Sequence, residues 1–252
     1  MSAGVSNEPP IPLHILITGG TGTLGEAMVA AFAKAGNRVS FQYHRNLEVA
    51  ERLESEWGAA GARIDFAGEF ETPPGEFDVL INCAGINESE ELTGSVSLAV
   101  WERMLRINAT VPLLLAQAVL PGMVKRGWGR LINIGSIYSL RVAPHRAPYA
   151  ASKHALSALT KTIAKEYAGA GVTCNEICPS AVESRLINRI AEDRAAARGI
   201  TVERVLDEYR SMNPSGRLVT AEEVASVALY LASSQASNVN GVSIPVDGGS
   251  VV

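Results

Sequence analysis

Apolar residues fall along the chain in short blocks separated by longer amphipathic stretches, and the two kinds of segment alternate. The blocks at residues 15–17, 39–43, 61–66, 79–82, 129–135, 173–178 and 242–246 read as strands. Residues 27–35, 47–57, 100–118, 149–167 and 222–232 place apolar side chains at helical spacing among polar ones. Several of the strands are apolar on both faces, which suits a doubly wound parallel sheet with helices packed on each side. The fold class expected is therefore α/β, with no sign of a second core.

Two segments break the rhythm. Only residues 66–77, with Pro73, Pro74 and Gly75 among them, separate Asp65 from Asp78. That is short for a crossover helix, so an abbreviated connection is expected there. Residues 183–218 are a long excursion with Ala- and charge-rich segments at 186–198 and 202–210. Two helices forming a lid over a ligand are expected.

The 252 residues suffice for one large core, and 47% hydrophobic with 19% charged residues describes an ordered globular chain. With only 6% aromatics, the interior must be mainly aliphatic. The formal net charge of -4 creates no positive field for nucleic acid or an anionic membrane. The longest apolar runs, such as 111–120 with its internal Pro112, are too short to span a bilayer. Residues 1–12 read as a flexible polar leader lacking a signal-peptide apolar region, and a cytoplasmic location follows by default. Cys83, Cys174 and Cys178 lie in apolar surroundings and read as buried thiols, with no metal site expected.

Candidate chemistry begins at Thr18-Gly-Gly-Thr-Gly-Thr-Leu-Gly25, which joins the first strand to the first helix. A glycine turn of this kind lets backbone N–H groups approach a diphosphate at a helix N-terminus. Gly19 and Gly25 carry that reading, Gly22 supports it, and Thr18, Thr21 and Thr23 offer hydroxyls to backbone or phosphate. Taken alone, the run could be a structural turn. It is not a Walker loop, because Leu24 and Gly25 stand where lysine and a hydroxyl residue belong. After the second strand, Tyr43, His44, Arg45 and Asn46 provide no carboxylate for ribose hydroxyls but do provide an arginine for a phosphate. This favours NADP(H) and leaves NAD(H) possible, with a solvated Arg45 as the alternative.

Tyr149 and Lys153 stand at i and i+4 on one helical face. A free phenol ionises near pH ~10, and a nearby ammonium favours the phenolate. Such pairs also occur on solvated helices; here the pair follows a strand ending in Ser136. That serine could donate to a carbonyl oxygen as negative charge develops, while Tyr149 delivers the proton. Serine acyl transfer is disfavoured, because Ser136 has no Gly-x-Ser-x-Gly elbow or obvious histidine partner. Asn108, from its residue type alone, reads as an ordinary helix asparagine.

Together these motifs resemble the short-chain dehydrogenase/reductase family over residues 15–252. The resemblance implies a single Rossmann-like domain over 13–252. Thr18, Gly19 and Gly25 match the family's Thr-Gly-x-x-x-Gly-x-Gly, but Thr23 stands at its middle glycine, which is expected to tighten or displace the diphosphate turn. Ser136, Tyr149 and Lys153 match its triad in order and spacing. Asn108 matches the fourth catalytic residue, implied to hold a water that links Lys153 to solvent. Lys153 is also implied to bind the nicotinamide ribose, beside Tyr149. Asn82-Cys-Ala-Gly85 resembles the Asn-x-Ala-Gly turn near the adenosine, placing Asn82, Ala84 and Gly85 at the cofactor. Asp65 matches a residue that contacts the adenine amino group, with a solvated strand-end acid as the bare reading. Pro179, Val182 and Ser184 match Pro-Gly-x-Val-x-Thr near the nicotinamide, with Ser180 in place of glycine leaving that turn's backbone geometry open.

The lid is similar in placement and length to that of bacterial 3-hydroxybutyrate dehydrogenases, and there is a distant similarity to 3-oxoacyl-[acyl-carrier-protein] reductases. At the former's acid-binding positions, Asn87, Tyr138, Arg146 and Ala181 stand where glutamine, histidine, lysine and tryptophan are expected. Arg146 could still recognise an acid; a solvated basic loop is the alternative. The implied activity is hydride transfer between a nicotinamide coenzyme and a ketone or secondary alcohol, with a carbonyl or 3-oxoacyl reductase preferred. The alternatives are a dehydrogenase of a small hydroxy acid, polyol or cyclic alcohol, and a catalytically weak nucleotide-sensing or structural protein. The family's habits imply a homotetramer, or a homodimer, formed through the long central helices.

Overall fold

The structure is a computed structural model that describes residues 12–88 and 91–251; apart from Pro12, the leader expected over 1–12 lies outside the described residues. Strands β1 (His14–Ile17), β2 (Arg38–Tyr43), β3 (Ala60–Arg63), β4 (Val79–Asn82), β5 (Gly129–Ile134), β6 (Val172–Pro179) and β7 (Ser243–Val246) form one sheet. Every pairing is parallel, in the order β3-β2-β1-β4-β5-β6-β7. The helices are α1 (Thr23–Lys34), α2 (Leu47–Trp57), α3 (Leu98–Leu105), α4 (Val111–Arg126), α5 (Ala147–Tyr167), α6 (Arg185–Arg198), α7 (Val202–Ser211) and α8 (Ala221–Ala232).

Alternate residues of the central strands reach opposite layers. Ile15, Ile17, Val79, Ile81, Ile132 and Ile134 join Met28 and Phe32 of α1 and Val224 and Leu231 of α8 in one core. Leu16, Leu80 and Leu131 join Leu115, Val119 and Met123 of α4 and Ile163 of α5 in the other. This two-sided burial is why the strands read as unbroken apolar runs rather than alternating ones. The strand order reverses between β1 and β4, which opens a crevice at the carboxyl ends of those strands.

Most element boundaries differ from the sequence reading by a residue or two, and three differ by more. Helix α1 begins inside the glycine-rich run, at Thr23, four residues before the apolar periodicity shows itself. β3 covers Ala60–Arg63 rather than 61–66. After the last ladder bond, from Ile64 N–H to the Tyr43 carbonyl (2.9 Å), Asp65 Oδ1 accepts from the Ala67 N–H (2.9 Å) and turns the chain away. The stretch down to β4 then holds no helix or strand, as its short length requires.

The helix expected over 100–118 runs on from Leu98 to Arg126, interrupted by a π turn at Arg106–Thr110. Within that turn Val111 N–H reaches back five residues to the Arg106 carbonyl. Pro112 follows immediately, without an N–H of its own, so the widened turn absorbs a break that would otherwise end the helix. By length and composition this 29-residue helix could cross a membrane. Its Met104, Val111, Leu115, Ala116, Val119 and Met123 are instead buried in the protein.

Finally, β6 extends by a residue at each end beyond 173–178, to Val172–Pro179, and is buried throughout. Helices α6 and α7 form within the excursion over 183–218, on its two Ala- and charge-rich segments. They pack on one another around Ala191, Ala195 and Val205 and are tied by a two-pronged Arg198–Glu208 pair (2.6 and 2.8 Å).

Candidate active site

The turn between β1 and α1 is held by backbone contacts that only glycine permits. Gly19 has φ +67°, and a Cβ there would stand 2.9 Å from Ala84 Cα; a Cβ on Gly25 would stand 2.1 Å from the Gly19 carbonyl oxygen. No side chain caps the N-terminus of α1, so its first-turn N–H groups face outward from the crevice floor. Thr21, Thr23 and Leu24 are half-buried around this mouth. The Thr18 hydroxyl, by contrast, is engaged within the protein, accepting from Cys83 N–H and Ala84 N–H (both 3.0 Å). Thr18 therefore pins the Asn82–Gly85 loop to the glycine turn.

At the end of β2, Tyr43 is buried while His44 and Arg45 reach the surface. His44 Nε2 lies 3.5 Å from Asp65 Oδ2, so the two residues expected at the adenosine end do meet. Arg63 Nε donates to the His44 carbonyl (3.1 Å), adding a second arginine to this edge. Asn82, from the end of β4, donates to Asn133 Oδ1 (2.7 Å), and Asn133 donates to Thr160 Oγ1 (2.8 Å). The Asn82 Oδ1 oxygen is buried without a partner.

The residues expected to act on a carbonyl gather one strand further along. Lys153, on the second turn of α5, is buried, and its Nζ donates to the Ile134 carbonyl (2.8 Å) at the end of β5. The same ammonium lies 5.7 Å from the centre of the Tyr149 ring. Tyr149 packs edge-on against Tyr138 at 6.0 Å, and Tyr138 N–H donates to Ser136 Oγ (3.2 Å). One lone pair of Ser136 is thereby occupied, and its hydroxyl proton remains available to donate. Gly85 closes the group: a Cβ there would approach Asn108 Oδ1 to 3.3 Å and Lys153 Nζ to 3.7 Å.

Asn108 sits in the π turn, and its side chain clamps the loop after β4 to α5. It accepts from Ile86 N–H (2.9 Å) and donates to the Ile86 carbonyl (2.9 Å) and to Ser152 Oγ (3.0 Å). Its amide is thus used up within the protein. Its main-chain carbonyl has lost its usual α-helical donor, because residue 112 is proline.

Of the substrate candidates, Arg146 Nη1 lies 3.5 Å from Asn87 Oδ1, and Tyr138 is on Tyr149. Ala181 is on the loop after β6, where its carbonyl accepts from Val219 N–H (3.0 Å). Ser184 Oγ accepts from Ile187 N–H (3.2 Å) and caps α6.

Known proteins share this arrangement along nearly the whole chain. Residues 20–250 match the family model described as "Enoyl-(Acyl carrier protein) reductase". The chain is 34% identical over 250 residues to the D-beta-hydroxybutyrate dehydrogenase of Rhizobium meliloti (strain 1021), covering 93% of this chain and 96% of that one. It is 31% identical over 249 residues to the 3-oxoacyl-[acyl-carrier-protein] reductase of Aquifex aeolicus (strain VF5), covering 93% and 95%. An actinorhodin polyketide ketoreductase variant solved with NADPH superposes with a TM-score of 0.87 at 28% identity, over 95% of this chain and 97% of that one.

The chain belongs to the short-chain dehydrogenase/reductase family. As a short-chain dehydrogenase/reductase it is an oxidoreductase, and two of its residues stand where the family has glycine. Thr23 is the first residue of α1, and Ser180 donates its N–H to the Val246 carbonyl (3.1 Å); neither has the positive φ that would demand glycine.

Three residues of this short-chain dehydrogenase/reductase escaped the sequence reading. Gln42 accepts from Gly19 N–H (2.9 Å) and donates to the Ile64 carbonyl (2.6 Å), bracing the glycine turn against the β3 loop. Ser139 and Glu176 are buried beside Ser136. A polar residue inside an otherwise buried strand was the available signal for Gln42 and Glu176. Of the three thiols expected to be buried, Cys174 and Cys178 are, whereas Cys83 is only partly so. Burial pushes Cys83 up to about 12, against the pull of Lys153, and pushes Cys178 to about 12 with help from Glu176. Neither is a thiolate nucleophile near neutrality.

Proposed function

We propose that this short-chain dehydrogenase/reductase is an NADP(H)-dependent reductase of a carbonyl or 3-oxoacyl substrate, with Ser136, Tyr149, Lys153 and Asn108 as its reaction machinery. The observation that carries the reading is the buried Lys153 ammonium, anchored on the Ile134 carbonyl and facing the Tyr149 ring. The glycine cradle at Gly19 and Gly25, the uncapped start of α1 and the unpartnered Asn82 Oδ1 fit a dinucleotide along the crevice. His44, Arg45 and Arg63 supply positive character for a 2′-phosphate, while Asp65 fits the adenine amino group; NAD(H) is the alternative coenzyme. Pro179, Val182 and Ser184 line the nicotinamide end. When bound, the coenzyme supplies the hydride for the carbonyl carbon or accepts it in the reverse direction.

The protein's own part is polarisation and proton transfer. Ser136 donates to the substrate oxygen, and Tyr149 gives it a proton as negative charge develops there. Lys153, held away from bulk water, stabilises the phenolate left behind. The Asn108 carbonyl, deprived of a helical donor by Pro112, is the natural acceptor for a water that returns the proton.

A second reading, oxidation of a small hydroxy acid, is supported by Arg146 beside Asn87 at the rim, where a carboxylate would sit. Helices α6 and α7 would close over the substrate as a lid. Leu98 and Leu113, exposed on the long helix, support association through that helix into a homotetramer, with a homodimer next, in the cytoplasm.

The test is coenzyme oxidation with NADPH and NADH, in separate series, against acyl thioesters, keto acids, cyclic ketones and sugar-derived ketones. NADPH-dependent turnover that falls by roughly 100- to 10,000-fold in Tyr149→Phe is expected. Preference for acetoacetate with NADH would favour the hydroxy-acid reading. Saturable coenzyme binding without turnover would favour a nucleotide-sensing protein instead.

A further inference from the structure

Glu176 lies in the middle of β6 with no solvent exposure, and among the described residues no cation pairs with it. A carboxyl group so placed is costly unless both oxygens are satisfied. Both are. Ser139 donates its hydroxyl to Oε1 and Ser243 donates to Oε2, each at 2.7 Å, and Ser157 Oγ of α5 lies 3.2 Å from Ser243 Oγ. Room for the carboxyl exists only because residue 135 is glycine: a Cβ there would fall 2.2 Å from Glu176 Oε1.

The consequence lies one bond further on. Ser139 has a single hydroxyl proton, and Glu176 takes it. The lone pairs of Ser139 are then left to accept, and one of them receives the Ser136 N–H (3.2 Å). Ser139 N–H returns to the Ser136 carbonyl (2.8 Å), closing a tight turn on which the Ser136 hydroxyl is carried. Without the acid, the Ser139 hydroxyl proton is released to turn to other acceptors, such as the neighbouring Cys178 sulfur, and the lone pair that receives the Ser136 N–H is no longer held in place.

We propose that Glu176, acting through Ser139, is a positioning residue that fixes the Ser136 turn and so aims the Ser136 hydroxyl at the substrate oxygen. The inference rests on the reductase reading above and adds to it a buried polar support that the family motifs do not include. Hydroxyls and a carboxyl linked in this way behave as a unit, so their effects on the reaction are coupled rather than additive.

The experiment is a double-mutant cycle on the full chain, measuring kcat, KM for the carbonyl, the NADPH dissociation constant and the melting temperature. Glu176→Gln and Ser139→Ala are each expected to lower kcat by roughly 10- to 100-fold with little change in NADPH affinity. In a Ser136→Ala background, which has already lost the group being aimed, each is expected to slow the residual reaction by less than about twofold. A purely structural role predicts otherwise: a lower melting temperature, with kcat unchanged or lowered by the same factor in both backgrounds. Either result would overturn the proposal. If Glu176→Gln fails to fold, the Ser139→Ala cycle decides alone. A wild-type protein that reduces no carbonyl would sink the reductase reading and this inference with it; an active wild type with indifferent variants would sink only the inference.

Discussion

At Gly25 the first turn of α1 lies directly on the glycine turn, and the 2.1 Å that would separate a Cβ from the Gly19 oxygen leaves no room for a methyl group. Gly25→Ala should therefore cost about 1–3 kcal/mol of stability and weaken NADPH binding, read from urea midpoints and a fluorescence titration. A variant as stable and as tight-binding as the parent would show that the turn has slack. This position was legible in the sequence, because the glycine spacing is local. His14 was not, since its partners come from elsewhere in the chain: Nδ1 contacts the Glu76 carbonyl (2.9 Å) and Nε2 contacts Ser40 Oγ (3.0 Å). A carbonyl only accepts, so Nδ1 carries the proton and Nε2 accepts from the serine. Burial, helped by Arg38, lowers the His14 pKa below 6.5 against the opposing pull of Glu76 and Asp78. The folded state thus prefers neutral His14; its contribution is complete above pH 6.5 and is lost as the pH falls through the lowered value. Urea midpoints should drop on acidification from pH ~7 to ~5 more steeply for the parent than for His14→Gln. Parallel curves would remove His14 from the account.

At the scale of elements, the long helix from Leu98 to Arg126 is where pattern reading and structure part most usefully. Apolar spacing reveals a helix but not the π turn within it, because residues on both sides of the turn are apolar enough to hide the ~100° change of phase that one extra residue brings. Pro112 was in plain view, yet its effect on the Asn108 carbonyl depends on the turn that precedes it. Pro112→Ala restores an N–H to that position and should regularise the helix, with the melting temperature held or raised. The same change should reduce kcat by roughly tenfold, since Asn108 would rotate away from Ile86 and Ser152. An unchanged kcat would mean that the π turn has no part in the reaction. β3 shows the opposite limit: its apolar run continues to Phe66, but a side-chain turn at Asp65 takes the chain out of the sheet after Arg63.

For the whole molecule, stability is unevenly spread. The central strands are buried on both faces, whereas α6 and α7 share a small core of Ala191, Ala195 and Val205. Local opening of that pair should be far easier than opening of the sheet. Hydrogen exchange across residues 185–211 is expected to be much faster than in β5 and β6, and to slow when NADPH and an alcohol product are added together. Protection equal to that of the sheet before any ligand is added would exclude a lid that moves.

The sequence by itself determined the alternation of strands and helices, the glycine turn and the Ser136, Tyr149, Lys153 order, because each is a local pattern of spacing and residue type. Tertiary structure alone decided what those residues touch. It took the Thr18 hydroxyl for the Asn82–Gly85 loop and the Asn108 amide for Ile86, and it brought Arg63 to His44. It also placed Glu176 behind Ser136, from a strand that is distant in the chain and adjacent in the sheet. Hydrogen-bond partners drawn from separate strands leave no periodic trace in a sequence, and the sheet's order is what makes them neighbours.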